Sequence, residues 1–194
     1  MFNKEFWDNR YKSEETGWDI GYPSTPIKSF IDSLEDKDLR ILIPGCGRSY
    51  EAEYLFKKGF KNVHLLDISP TALKAFSSRL PDFPSQQLVE SDFFEHEGQY
   101  DLILEQTFFC AIDPKLRSLY VEHCHKLLKD DGQIVGLLFS VELNHDHPPF
   151  GGSKEEYHTL FSRLFDIITM DIAKNSIPER AERELFITFK KKNA

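Results

Sequence analysis

Apolar positions along the chain fall into two rhythms. Residues 2–12 and 26–34 carry them at helical spacing, and Gly17, Gly21 and Pro23 break the chain between these stretches. From residue 39, short apolar runs alternate with amphipathic ones. Residues 39–43 predict a strand, 50–58 a helix ended by Gly59, and 63–66 a second strand. Residues 70–80 predict a helix with Pro70 in its first turn and Ser69 as its N-cap. Residues 87–89 predict a short third strand and 100–104 a fourth. A helix follows at 114–128, then a fifth strand at 133–139 after the turn Asp130-Asp131-Gly132. Strands alternating with helices predict a parallel α/β sheet covered on both faces. After a helix near 153–164, two β-like runs at 165–173 and 185–189 follow with no helix between them. They predict a hairpin, with the last strand antiparallel to most of the sheet.

The 194 residues suit one well-packed domain, and no repeat, low-complexity stretch or linker divides them. The 17 Phe point to a core and a pocket rich in aromatic surface. A net charge of −8 without a Lys/Arg stripe disfavours DNA or RNA as a partner, and Lys190, Lys191 and Lys192 read as a solvated tail. No stretch approaches the ~20 apolar residues of a membrane span, and the start lacks a signal-peptide core. Cys46, Cys110 and Cys124 show no CxxC spacing, so free thiols, a cytoplasmic location and no structural zinc are expected. A monomer acting on a small-molecule substrate is the expected form.

The strongest chemical signal is Ile43-Pro44-Gly45-Cys46-Gly47-Arg48-Ser49-Tyr50-Glu51, between the first strand and the first helix of the alternating region. Gly45 and Gly47 allow a sharp turn and close approach to a ligand at the carboxyl end of a strand. A dinucleotide fingerprint needs a third small residue where Tyr50 stands, so pyrophosphate binding is disfavoured. An adenosine cofactor without phosphate, S-adenosylmethionine, fits better. Asp67 closes the second strand, twenty residues after Gly47. Two readings stand for it: acceptor of both ribose hydroxyl hydrogens, or cap of the helix beginning at Pro70. Asp92 and Phe93 follow the third strand in the same way, either holding adenine or forming an ordinary acidic loop. Trp7, Tyr11 and Trp18 offer aromatic faces that stabilise a sulfonium cation without reacting with it, or serve as routine packing of an N-terminal helix. His145-Asp146-His147 lacks further ligands at metal spacing and predicts no metal site. Its loop, 144–152, follows the fifth strand and is expected to lie over a substrate.

Together these residues resemble the thiopurine S-methyltransferase superfamily, and within it the halide and thiol methyltransferases of plants and bacteria. The resemblance is carried by Gly17-Trp18-Asp19 with Pro26, Ile43-Pro44-Gly45-Cys46-Gly47, and Leu66-Asp67-Ile68-Ser69. It continues through Phe108-Phe109-Cys110-Ala111-Ile112-Asp113-Pro114 with Arg117, Lys126-Leu127-Leu128-Lys129-Asp130-Asp131-Gly132, and Pro148-Pro149-Phe150. It implies a Rossmann-like class I methyltransferase with a seven-stranded, mostly parallel sheet, an antiparallel terminal hairpin strand and helices on both faces. Residues 1–194 would form one catalytic unit with 1–38 as a helical lid.

The resemblance also implies roles. Trp7, Tyr11, Trp18, Gly45, Cys46, Gly47, Glu51, Asp67, Ile68, Asp92, Phe93 and Gln106 would contact S-adenosylmethionine, leaving S-adenosylhomocysteine as product. Glu51 stands where Asp is usual, and Gln106 where the family often has a bulkier cofactor contact. Phe109, His145 and Phe150 would face the acceptor. The halide and thiol branch usually ends Pro-Pro-Tyr, so Phe150, lacking the hydroxyl, is expected to favour an apolar thiol over halide or thiocyanate. Methyl transfer to a thiol, sulfide, halide or thiocyanate needs alignment and dryness more than an acid or base, so no acid/base residue is expected. Two other readings remain: an NAD-type Rossmann oxidoreductase, and an S-adenosylmethionine-binding protein without catalysis.

Overall fold

The computed structural model describes residues 2–193. Among them, seven strands form one sheet: β1 (Arg40–Pro44), β2 (Asn62–Asp67), β3 (Leu88–Glu90), β4 (Tyr100–Gln106), β5 (Leu128–Phe139), β6 (Phe165–Ile172) and β7 (Glu184–Lys191). Their order is β3-β2-β1-β4-β5-β7-β6, with β1 to β5 parallel and β7 antiparallel to both β5 and β6. The terminal hairpin is therefore present. The helices are α1 (Lys4–Lys12), α2 (Thr25–Ser33), α3 (Tyr50–Lys57), α4 (Pro70–Arg79), α5 (Arg117–Leu127) and α6 (Lys154–Phe161).

Strand side chains alternate between faces, which divides the core in two. Ile41 and Ile43 of β1 pack with Ile27, Ile31, Leu55 and Phe76 of α2, α3 and α4. Leu42 between them packs on the opposite face with Tyr120, Cys124 and Phe161 of α5 and α6. Helix ends follow local chemistry. Ser69 caps α4 by accepting from the Ala72 amide, and Gly59, at φ 88°, turns the chain just beyond α3.

Two expected boundaries move. β5 begins at Leu128 and runs through Asp130-Asp131-Gly132 rather than starting after them. Tyr100 pairs with Leu128 and Leu102 with Gln133, so the extra residues bulge out of the ladder, with Asp131 at φ 62°. The helix expected from Pro114 opens as a 3-10 turn, Pro114–Leu116, capped by Asp113, before α5 starts at Arg117. β3 also passes to β4 through a 3-10 turn, Phe93–Glu95, rather than a helix.

β1 lies between β2 and β4, so successive connections leave it in opposite directions. The loops after β1 and β4 diverge and open a crevice at the carboxyl edge of the sheet.

The close pairing of β4 and β5 depends on one glycine. A Cβ on Gly136 would stand 2.2 Å from the Glu105 carbonyl oxygen, a backbone atom that cannot turn aside. Gly136→Ala is expected to lower unfolding free energy by about 3 kcal/mol in urea titration. A loss well below about 1 kcal/mol would show that the strand pair separates freely.

Candidate active site

The crevice is a cavity of ≈ 830 Å³, within the range of small-molecule sites. Four loops at the carboxyl edge wall it, those after β1, β2, β3 and β4. The N-terminal segment, the loop after β5 and the β6–β7 loop close it from the sides.

The glycine turn after β1 has three left-handed residues: Gly45 at φ 54°, Gly47 at φ 53° and Ser49 at φ 48°. A Cβ on Gly45 would strike the Phe108 ring at 2.1 Å, and one on Gly47 would stand 2.7 Å from the Tyr11 hydroxyl. The glycines thus admit two aromatic side chains as well as the turn. Asp67 braces this loop from β2. One carboxylate oxygen accepts from the Gly47 amide at 2.8 Å, the other from the Ser69 amide at 2.8 Å. Ser69, not Asp67, supplies the side-chain cap of α4. Asp67 is 5% exposed and lines the cavity, and burial pushes its carboxyl up to about 6.

The other residues expected at a cofactor divide into two groups. Trp7, Tyr11, Trp18, Gly45, Ile68, Asp92 and Phe93 line the cavity beside Asp67. The indole of Trp18 meets Trp7 and Tyr11 edge to face, with ring centroids 5.8 Å apart in both pairs. Asp92 accepts from the Phe94 amide at 2.9 Å and so shapes the 3-10 turn carrying Phe93. Cys46, Gly47, Glu51 and Gln106 lie outside the lining. Cys46 is buried with its sulfur toward the Gly47 carbonyl, and Glu51 accepts from the Ser24 amide at 2.9 Å, anchoring the N-terminal segment to α3. Gln106 ends β4 with its amide oxygen buried and unpartnered.

At the acceptor side, all three expected residues are displaced from the cavity. Phe109 is buried beneath it against Tyr120 and Tyr157, at 5.1 and 5.6 Å. Phe150 is buried, with its ring edge-on to Phe2 at 5.8 Å and its amide donating to the Cys110 carbonyl at 2.7 Å. His145 stands at the surface, 81% exposed, beside Glu142. Leu143, Pro148 and Pro149 represent their loop in the lining instead. An irregular loop has no side-chain period, so sequence cannot say which of its residues turn inward. Among the described residues, no three His, Cys, Asp or Glu side chains gather as metal ligands, and no helix is long and apolar enough to cross a membrane.

Four residues absent from the sequence reading organise the site. Glu105, fully buried in β4, accepts from the Phe108 and Phe109 amides at 2.8 Å each and from the Tyr120 hydroxyl at 2.7 Å. It holds the turn in which Thr107 adopts φ 58° and Phe108 enters the cavity wall. An acid closing the apolar run Tyr100-Asp101-Leu102-Ile103-Leu104 was the available signal. Arg180 and Arg183 line the cavity from the β6–β7 loop, and Arg180 donates to the Trp18 carbonyl at 2.7 Å. Asp8, on α1, is buried against α4. Arg117, part of the family-like pattern, donates to the Gly151 carbonyl at 2.8 Å and fixes the end of the loop after β5.

The family model described as "Thiopurine S-methyltransferase (TPMT)" matches residues 2–191. The chain is 31% identical to the probable thiol methyltransferase 2 of Arabidopsis thaliana over 170 residues, 84% of this chain and 75% of that protein. It is 26% identical to thiocyanate methyltransferase 1 of the same plant, over 96% of this chain and 85% of the relative. A solved 1,6-didemethyltoxoflavin-N1-methyltransferase of Burkholderia thailandensis shares the fold, with TM-score 0.79 and 17% identity over 98% of this chain and 87% of that one.

Burial of Glu105 outweighs its three hydrogen bonds and pushes its carboxyl up to about 7. The folded protein then holds this proton more tightly than the unfolded chain, so the Glu105 contribution to stability falls as pH rises from about 4.5 to about 7. Gln at this position keeps an acceptor for both amides and offers a donor to Tyr120. Glu105→Gln is expected to flatten the decline of urea stability between pH 5 and 8, leaving the slope owed to the other raised acids, Asp67, Glu51 and Glu184. An unchanged slope would show that Glu105 stays ionised throughout.

Proposed function

We propose, on the premise that this chain belongs to the thiopurine S-methyltransferase family, that it methylates a small soft nucleophile: a thiol, sulfide, halide or thiocyanate. It is an S-adenosylmethionine-dependent methyltransferase. The residues present fit that cofactor. Asp67 spends two lone-pair positions on the Gly47 and Ser69 amides and keeps others that would accept from ribose hydroxyls. In this reading Gly45 and its loop hold the methionine part, Asp67 the ribose, and Asp92 with the Phe93 ring the adenine. Trp7, Tyr11 and Trp18 cover the sulfonium with aromatic faces. When bound, the cofactor supplies a methyl group already activated by positive charge.

The observation that carries the acceptor class is the apolar part of the cavity lining contributed by Ile112, Leu143, Pro148 and Pro149. Such a wall strips water from a polarisable anion and leaves its electron pair reactive. A thiolate or halide then needs alignment and not a general base. Arg183 brings a guanidinium to the lining that would draw an anionic nucleophile in, whereas Arg180 is already paired with Glu184 at 3.5 Å and acts as a strut to Trp18. Selectivity lies with the lining residues of the loop after β5 rather than with the Phe150 ring behind Phe2. The chain works as one catalytic unit, as a cytoplasmic monomer on small molecules rather than nucleic acid. The lid expected over residues 1–38 is narrowed to α1 and the Trp18 turn, because Ile27 and Ile31 of α2 are buried in the core.

Incubation with labelled S-adenosylmethionine and a panel of thiols, hydrogen sulfide, iodide and thiocyanate is expected to give methylated product. Tight cofactor binding with no product from any acceptor would favour a binding protein over an enzyme.

Asp67→Ala is expected to weaken S-adenosylhomocysteine binding roughly 10- to 100-fold, the worth of hydrogen bonds to a charged group. In the parent protein, protonation of Asp67 removes an acceptor, so affinity should fall as pH drops through about 6. Calorimetry at pH 5 and 8 reads both effects, and equal affinities would remove Asp67 from the ribose site.

A further inference from the structure

α1 contributes Trp7, Arg10 and Tyr11 to the cavity, yet its one residue with less than a tenth of its surface exposed is a carboxylate, Asp8. A nine-residue helix is marginal by itself, so its position must come from what it docks against. The Asp8 carboxylate meets the N-terminus of α4. One oxygen accepts from the Ser69 hydroxyl at 2.7 Å and the Thr71 amide at 3.0 Å, and the other pairs with Lys12 at 2.6 Å. These bonds hold Asp8 ionised well below the usual carboxylate range despite its burial. Among the described residues, two further contacts tie α1 to the sheet edge: Lys4 to Glu90, which is exposed and correspondingly weak, and the Tyr11 hydroxyl against Gly47, which no hydrogen bond secures to the turn.

Ser69 serves both sides of this junction. Its hydroxyl goes to Asp8 and its amide to Asp67, the carboxylate assigned to the cofactor ribose. Asp8 sits at i+1 from Trp7 and three before Tyr11, so fixing Asp8 on α4 fixes the rotation that turns both rings inward. We infer that Asp8 is the positioning residue that latches the N-terminal lid onto α4 and so sets cofactor retention. The inference rests on the cavity being the cofactor site, as proposed above. Without the latch, α1 undocks locally while the sheet and its two cores stay folded.

The test compares Asp8→Ala and Asp8→Asn with the parent protein. Asn keeps an oxygen for the Ser69 and Thr71 donors and loses only the charge toward Lys12. Asp8→Ala should raise the dissociation constant for S-adenosylhomocysteine at least about tenfold, with Asp8→Asn between it and the parent. The KM for S-adenosylmethionine should rise by a larger factor than kcat falls. Trypsin should cut after Arg10 and Lys12 faster in ligand-free Asp8→Ala than in the parent, with unfolding transitions of the remaining core superimposable. The proteolysis does not depend on any cofactor: if the parent binds no S-adenosylhomocysteine, the proposed function fails while faster cleavage still supports the latch. Parent-like cleavage and parent-like affinity in Asp8→Ala would overturn it. So would Asp8→Asn losing affinity as fully as Asp8→Ala, since the hydrogen bonds to α4 would then not be what holds the lid.

Discussion

At the carboxyl edge of a parallel sheet, the backbone leaves its ladder and its amides lose their partners, yet here those amides are buried under a cavity. The structure meets this demand with carboxylates. Asp67 takes the Gly47 and Ser69 amides, Glu105 the Phe108 and Phe109 amides, Asp92 the Phe94 amide, and Glu51 the Ser24 amide. Each bond joins a loop to a strand end or helix start, and the cavity is the space these loops leave.

Burying acids raises their proton affinity, and Asp67, Glu105, Glu51 and Glu184 are all pushed up by desolvation. Asp8 goes the other way, because Lys12, Ser69 and the Thr71 amide all favour its ionised form. The contrast separates two uses of the same group. Asp67, at the cavity wall, and Glu105, in the interior, are both desolvated and hold loops at an electrostatic cost. Asp8, where a helix N-terminus and a lysine converge, gains from its charge and serves as a docking point.

The roof of the cavity is assembled from distant parts of the chain. Arg180 in the β6–β7 loop donates to the Trp18 carbonyl, and Asn175 donates to the Thr25 carbonyl and the Ser29 hydroxyl. The terminal hairpin therefore does more than finish the sheet: it secures the segment that carries the aromatic cover. An aromatic cover tied at both ends can exclude water while its middle opens to exchange ligands, which suits transfer to a nucleophile that solvent would blunt.

Much of this is legible in the sequence. Periodicity located the strands and helices because their signals repeat within a few residues, and the hairpin betrayed itself by a missing helix. The Gly45–Gly47 turn, the Ser69 cap and the strand-end position of Asp67 are equally local. What the tertiary structure alone decided is which distant groups meet. Asp8 finds Ser69 across 61 residues and Arg180 finds Trp18 across 162, and no local pattern encodes such pairs. The same limit explains Phe109, Phe150 and His145. Their motifs were readable, but side-chain direction in a single 3-10 turn (Phe109) or in an irregular loop (His145, Phe150) is set by packing against Tyr157, solvent and Phe2. Local chemistry determined the elements and the glycine-turn side of the cavity; long-range packing determined its N-terminal cover, its roof and the part of its wall that the loop after β5 supplies.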